Sequence, residues 1–405
     1  MLARALRRLG AAFTFRDFRV LWLGAFASTV GTWTQRVAQN WLVLTLTGSA
    51  FYLGLDSFLG ELPVLLFTLI GGVIADRHDR RYLLVGSQCG QMASAFMLAV
   101  LVYFDVIQVW HILVLSFVSG CAQAFGGPAY QSLLPALVPK EHLPNAIALN
   151  SIQFNLARVI GPLIAGVALT TLGFAACFGL NGLSFLIVIV ALFSLRVKHL
   201  PPQTRQRMVD ELRGGLSYVR HEGSLATLTS LAFATTFLGL PLLTLLPVVA
   251  QDVFQQGVGQ YSRMMAFSGA GAVVGALVVA WLGKFRHMGR TLLIVQVVFG
   301  GLIVAFSFSR VMLLSEVLLF CAGAMLIMVF SLVTSLVQLV APDELRGRVM
   351  SIFMVAFRGG IPLGNLAAGF IASRFSAPLV LSINGTLLAV VACVFLMTNP
   401  GVRRL

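Results

Sequence analysis

One short motif, an Arg followed four residues later by Pro-Leu, occurs twice in this chain, first as Arg158-Val-Ile-Gly-Pro-Leu163 and again as Arg358-Gly-Gly-Ile-Pro-Leu363. The two copies lie 200 residues apart, and each has its Arg, Pro and Leu at the same spacing within a long apolar segment. Charged residues are rare in such segments because a charge in hydrocarbon costs roughly 2.5 kcal/mol or more. The shared Arg and Pro therefore indicate an internal duplication; the alternative is a chance similarity between two apolar segments.

The composition of the whole chain is that of a membrane protein. Its 405 residues are 58% hydrophobic and only 10% charged, with a mean hydropathy of +0.93. Soluble domains carry about 25% charged residues. So few charges cannot cover the surface of a soluble protein of this size, and so high a hydrophobic content excludes a disordered chain.

The hydropathy pattern predicts twelve membrane-spanning helices. Each needs about 20 apolar residues, and a helix satisfies its backbone hydrogen bonds internally, as lipid requires. We place them at 18–46, 51–75, 82–104, 107–134, 146–171, 173–195, 225–250, 260–284, 288–309, 312–340, 349–373 and 377–398. A polar linker at 196–224, with an amphipathic stretch at 209–219 that predicts a short surface helix, separates two six-helix halves, 1–195 and 225–405. The expected fold class is an all-α membrane protein.

The distribution of Lys and Arg predicts the orientation. If the N-terminus is cytoplasmic, 22 of the 28 basic residues lie on the inner side, and the outer loops hold only Arg263, Arg310 and Arg374. Cytoplasmic loops carry such an excess, so we expect both termini in the cytoplasm. The net charge of +14 is then an orientation signal, and no nucleic-acid partner is expected.

The loop after the second predicted helix carries a family signature. It reads Gly71-Gly-Val-Ile-Ala-Asp-Arg-His-Asp-Arg-Arg81 and resembles the Gly-x-x-x-Asp-Arg-x-x-Arg-Arg motif of the major facilitator superfamily. Residues 15–22, 31–41 and 155–162 resemble its enterobactin-exporter-like branch. The resemblance implies a monomeric secondary transporter of the bacterial inner membrane. Such a carrier exports a small organic molecule (a drug, siderophore or metabolite) by alternating access, in exchange for protons, from a site between its two halves.

The signature residues are candidates for a conformational latch at the cytoplasmic end of the second helix. An Asp near a helix N-terminus, together with Arg partners, can hold one access state. The alternative is that the arginines serve only to orient the protein in the membrane. The residues concerned are Gly72, Asp76, Arg77, Arg80 and Arg81.

Two charged residues in the first two helices are equidistant from the turn between them. Arg36 and Glu61 lie at equal separations from the Gly48-Ser49 turn, so antiparallel helices of equal rise place them at one depth. We expect them to pair or to face one polar cavity, where Glu61 could carry a proton; the alternative is a fixed structural bridge. Asp56 lies nearer the outer face and is a candidate gate or solvated mouth residue of the same pathway.

Further polar residues could line a substrate cavity. The amides are Gln35, Gln39, Asn40, Gln123, Gln131 and Asn155. Uncharged amides can instead hold helices together. The repeat-related Arg158 and Arg358 would favour an anionic or catecholate-like substrate, or else neutralise helix ends or buried acids.

The sequence contains no common enzyme motif. It has neither His-Glu-x-x-His nor Gly-x-Ser-x-Gly, and no Gly-x-x-x-x-Gly-Lys-Ser/Thr nucleotide loop. The five cysteines show no metal-ligand spacing. We therefore expect no catalysis, cofactor or metal; the partners are substrate, protons and lipid. A lipid or lysolipid transporter or scramblase of the same fold is the alternative function.

Overall fold

The computed structural model describes residues 11–196 and 218–405, except for the side chains of residues 69, 73, 76 and 77. Within that part of the chain the secondary structure is helical and contains no strand. The long helices are α1 (Arg16–Thr47), α2 (Ala50–Arg77), α3 (Arg80–Tyr103), α4 (Val109–Leu133), α5 (Leu143–Thr171), α6 (Gly173–Ser194), α7 (Gly223–Val253), α8 (Val258–Leu282), α9 (Met288–Phe308), α10 (Met312–Val340), α11 (Arg346–Arg374) and α12 (Ala377–Thr398). The predicted all-α fold is confirmed, whereas the surface helix predicted at 209–219 falls mainly outside the described residues.

Eleven of these helices are long and apolar enough to cross a membrane. The exception is α1, which is 32 residues long but carries Arg16, Asp17, Arg19 and Arg36. Large apolar side chains remain exposed along the helices, for example Val167 at 66% and Val190 at 60%. Apolar exposure on this scale is unfavourable in water and suits contact with lipid.

The helix α7 is irregular because of its prolines. Two α-helical parts, Gly223–Ala234 and Pro241–Val248, are each followed by a π-helical segment, Thr235–Gly239 and Val249–Val253. Pro241 has no N–H and its ring clashes with the carbonyl four residues earlier. The wider π turn directly before it, Thr235–Gly239, accommodates that clash.

The chain forms two compact units, Met1–Thr47 with Leu59–Gln203 and Gly48–Phe58 with Thr204–Leu405. In the first unit α1 packs against α5 and α6, and α3 packs against α4 and α6. In the second unit α7 packs against α11 and α12, and α9 packs against α10 and α12. Helices six positions apart in order thus have equivalent partners, as a duplication requires. Residues 48–58, which the sequence assigns to the first half, group with the second unit.

Glycines bring equivalent helix pairs into backbone contact in both units. A Cβ added at Gly120 of α4 would overlap the carbonyl oxygen of Gly60 in α2. In the second unit, a Cβ at Gly271 of α8 would overlap the carbonyl oxygen of Phe320 in α10. Small residues allow such close approach between helices in lipid, where van der Waals packing drives association.

Candidate transport site

Arg36 and Glu61 form an ion pair in the first unit. The Nη2 atom of Arg36 donates to Oε1 of Glu61 at 3.4 Å, and the two side chains are 51% and 25% exposed. The pairing that the symmetric spacing predicts is therefore present. Charge-assisted N–H···O bonds usually measure about 2.7–2.9 Å, so this contact is loose. The protein therefore holds the Glu61 carboxylate loosely and does not fully enclose it.

A second arginine shares an aromatic ring with Arg36. The guanidinium of Arg36 lies 5.1 Å from the centroid of the Trp33 ring, and that of Arg158 lies 5.4 Å from it. Trp33 and Arg158 are each only 8% exposed. The face of an indole ring carries partial negative charge and attracts cations. We call Trp33, Arg36 and Arg158 the cation–indole cluster.

A glycine on α5 allows this cluster to form. Gly161 lies one turn after Arg158, and a Cβ there would overlap the Cβ of Trp33. The Thr34 hydroxyl donates to the Gly161 carbonyl oxygen at 3.1 Å, which ties α1 to α5. The close approach of the two helices places the Arg158 guanidinium over the indole ring.

The amides of α1 connect this helix to its neighbours. Asn181 Nδ2 donates to Gln35 Oε1 at 2.6 Å, and Gln35 Nε2 donates to Gln39 Oε1 at 3.3 Å. Gln39 Nε2 in turn donates to the Ser116 hydroxyl at 2.8 Å. The chain of bonds joins α6, α1 and α4, so it holds helices together, which was the alternative role for these amides. Asn40 also has an interaction partner.

The amides of α4 and α5 have different surroundings. Gln123 and Gln131 are exposed, and within the described residues no hydrogen bond links them to the cation–indole cluster. Asn155 donates from Nδ2 to the Ser151 carbonyl at 2.8 Å. Its Oδ1 atom is buried and accepts no hydrogen bond from the described part of the chain.

Two predicted site residues lie in the second unit. Arg358 is half-buried and, among the residues described, has no carboxylate within ion-pair distance. Arg158 also lacks a carboxylate partner there, but it is 8% exposed and lies over the Trp33 ring, whereas Arg358 lies over no aromatic ring among the described residues. Asp56 is only 5% exposed and has an interaction partner. This burial argues against a solvated mouth residue, whereas the role of a gate stays a prediction.

Two of the latch candidates, Arg80 and Arg81, donate hydrogen bonds to carbonyl groups at the C-terminal ends of helices. Arg80 Nη1 donates to the Ser132 carbonyl at 3.2 Å, in the last turn of α4. Arg81 donates from Nη2 to the Phe193 carbonyl at 2.6 Å and from Nη1 to the Leu195 carbonyl at 3.3 Å, at the end of α6. Cations are favourable at helix C-termini, so both arginines stabilise the first unit internally. A Cβ at Gly72 would meet open space; the side chains of Asp76 and Arg77 lie outside the described set.

Sequence reasoning missed a buried carboxylate in the second unit. Glu316 in α10 is 1% exposed; Gln260 Nε2 donates to its Oε1 at 2.8 Å, and Arg263 Nη2 lies 3.0 Å from the same oxygen. Arg263 was counted with the outer loops although the helix predicted at 260–284 contains it, and it lies in the first turns of α8. Glu316 is the only charged residue between Met312 and Val340, and that isolation was the signal that could have identified it.

This pair allows a test of its structural role. Replacing Arg263 with Leu leaves the buried Glu316 carboxylate without its cation. We expect this to lower the free energy of unfolding by about 3 kcal/mol. The double variant Arg263→Leu/Glu316→Leu should recover much of that loss, because no buried charge remains. Thermal unfolding of the purified protein measures both; equal stabilities of the single variant and the parent would contradict the prediction.

Comparisons with known proteins agree with this architecture. The profile of a family described as transmembrane secretion effector matches residues 10–402. Three relatives align over almost the whole chain. The staphyloferrin A transporter of Staphylococcus aureus is 28% identical, covering 94% of this chain and 95% of the relative. Macrolide efflux protein A of Streptococcus pyogenes is 24% identical, covering 96% and 97%. The enterobactin exporter EntS of Escherichia coli is 26% identical, covering 96% and 94%.

The fold also matches a solved transporter structure. An inward-facing bacterial homologue of the human lysosomal transporter Spinster superposes with a TM-score of 0.75 at 12% sequence identity. The match covers 94% of this chain and 96% of that structure. At this identity the likeness concerns the fold alone.

Proposed function

The chain belongs to the transmembrane secretion effector family of the major facilitator superfamily, and on this premise we propose that it exports a small organic molecule by alternating access, driven by protons. It is a transporter and not an enzyme. Its relatives include a staphyloferrin A transporter, a macrolide efflux protein and an enterobactin exporter. We propose a substrate of this general kind, small, organic and amphipathic.

The observation that carries the proton coupling is the Arg36–Glu61 pair. A carboxylate within a spanning helix is costly unless it has a partner or a task. Glu61 has a cation 3.4 Å away and remains 25% exposed, so it can take up a proton when the aqueous phase reaches it and release Arg36. Protonation would change the charge of the site by one unit, which is enough to favour one access state over another.

The membrane and orientation follow from the basic residues. We propose insertion in the bacterial inner membrane with both termini in the cytoplasm, because the inner side then holds 22 of the 28 Lys and Arg residues. We also propose that the protein acts as a monomer. In this orientation the signature arginines Arg80 and Arg81, at the start of α3, would lie on the cytoplasmic side, where a latch would control inward opening.

Accumulation in inside-out vesicles tests the proposal. Radiolabelled staphyloferrin A, enterobactin and a macrolide are offered to vesicles that contain the protein and to vesicles that lack it. We expect at least one compound to accumulate when respiration acidifies the interior, and to leak out when an uncoupler is added. Equilibration that ignores the gradient would contradict proton-driven export.

The same vesicles test the lipid alternative. A fluorescent phospholipid placed in one leaflet would redistribute on its own if the protein were a scramblase. Rapid gradient-independent redistribution, with no accumulation of the three solutes, would favour that function over the one proposed.

A further inference from the structure

We propose that the cation–indole cluster binds the acid group of the substrate, and that the exported compounds are organic acids with a hydroxyl group beside the carboxylate. This inference rests on the proposed function, since it names the substrate class of that transporter. It depends on a difference between the two arginines over the Trp33 ring. Arg36 has a carboxylate partner, Glu61, whereas Arg158 has none among the described residues.

Arg158 is a buried cation without an anion. It is 8% exposed, and no carboxylate in the described part of the chain lies within ion-pair distance of it. The charged group that acts on it is Arg36, which has the same sign. The Trp33 face compensates only part of the cost of removing a guanidinium from water. A substrate anion would supply the missing charge.

The charges of the site leave one unit uncompensated. Glu61 neutralises Arg36, whereas Arg158 adds a second positive charge on the same ring. A neutral or cationic substrate would leave this charge in place. A monovalent acid group would cancel it, so electrostatics favours anions over other amphipathic solutes.

The geometry of Arg158 suits a carboxylate. Contact with Trp33 and the close helix approach at Gly161 restrict the guanidinium before any ligand arrives. Its planar fork of N–H donors matches the two oxygens of a carboxylate. A preorganised donor loses less conformational entropy on binding than a free side chain.

Asn155 adds a requirement for a hydroxyl. It precedes Arg158 by three residues on α5, so the two side chains share one face of the helix. The Asn155 amide already donates to Ser151, while its buried Oδ1 accepts no hydrogen bond from the described residues. A ligand hydroxyl next to the carboxylate could donate to this oxygen. A buried acceptor left without a donor is unfavourable, so ligands that lack the hydroxyl should bind more weakly.

A set of small probes tests both requirements on the purified protein. Citrate carries the hydroxyl and the carboxylates, tricarballylate lacks the hydroxyl, and triethyl citrate lacks the charges. Binding is measured by calorimetry on the full chain in nanodiscs, without any gradient. We expect saturable binding of citrate, binding of tricarballylate weaker by about tenfold, and no measurable binding of the ester.

Variants of Arg158 locate the site. Arg158→Gln should weaken citrate binding by at least about tenfold, and Arg158→Lys, which keeps the charge but loses the fork, should lie between it and the parent. Arg374→Gln is the matched control, because Arg374 also stacks on a ring, 4.6 Å from the Phe370 centroid, but lies outside the cluster. Arg374→Gln should bind citrate as the parent does.

The outcomes separate this inference from the proposed function. Ester binding as tight as that of citrate, absence of citrate binding, or unchanged binding in Arg158→Gln would overturn the inference and leave proton-driven export standing. Should Arg158→Gln fail to fold, Arg158→Lys and the probe series on the parent protein decide. Gradient-independent movement in vesicles would overturn the proposed function, yet would not alter the binding results.

Discussion

Vesicles that contain the Glu61→Gln variant are expected to lose proton-driven accumulation completely while the protein still inserts and folds. The amide keeps the size of the side chain and can still accept a hydrogen bond from Arg36, which lies 3.4 Å from Glu61. It cannot take up a proton. If one proton moves per substrate, a gradient of one pH unit supports about tenfold accumulation, and the variant should support none.

Two further variants control this experiment. Glu61→Asp keeps a titratable group and should retain part of the coupling. Glu141→Gln removes an exposed carboxylate outside the spanning helices and should accumulate substrate as the parent does. Accumulation by Glu61→Gln at the level of the parent would show that Glu61 forms a fixed bridge, the alternative role of the pair, and would move the search for the proton carrier to other acids such as Asp56.

Replacing Gly271 with Ala should give the largest loss of stability of any single methyl addition considered. The new Cβ would overlap the Phe320 carbonyl oxygen, which is backbone and cannot rotate away. The helices α8 and α10 would have to separate, and overpacking of this kind costs about 1–3 kcal/mol or more. The effect is measured by heating the protein in detergent and recording, at each temperature, the fraction that remains monodisperse.

Gly301→Ala is the matched control, because the Cβ it adds would meet open space. Alanine is a better helix former than glycine by up to about 1 kcal/mol, so this variant should be as stable as the parent or more stable. If Gly271→Ala unfolded at the same temperature as Gly301→Ala, backbone contact between α8 and α10 would not be a determinant of stability.

Helix positions and depths along the membrane could be predicted from the sequence because they depend on the hydropathy of each segment and on the constant rise per residue of a helix. Hydropathy located the helices, since each must be long and apolar enough to cross the bilayer. Constant rise per residue placed Arg36 opposite Glu61. The isolated charge at Glu316 could have been identified in the same way, but its partners could not, because Gln260 and Arg263 lie on another helix.

Which side chains meet at a given depth depended on how the helices rotate and pack. Arg158 lies against Trp33, 125 positions earlier in the chain, because Gly161 allows α5 to approach α1. The repeat-related Arg358 has its Pro and Leu at the same spacing, yet it lies over no aromatic ring in the described part of the chain, and Asp56 is covered rather than solvated. The sequence by itself determined the membrane fold, the duplication and the depth of each charge; only the tertiary structure decided which charge has a counter-ion, because close helix packing, and not position along the chain, sets the contacts of a side chain.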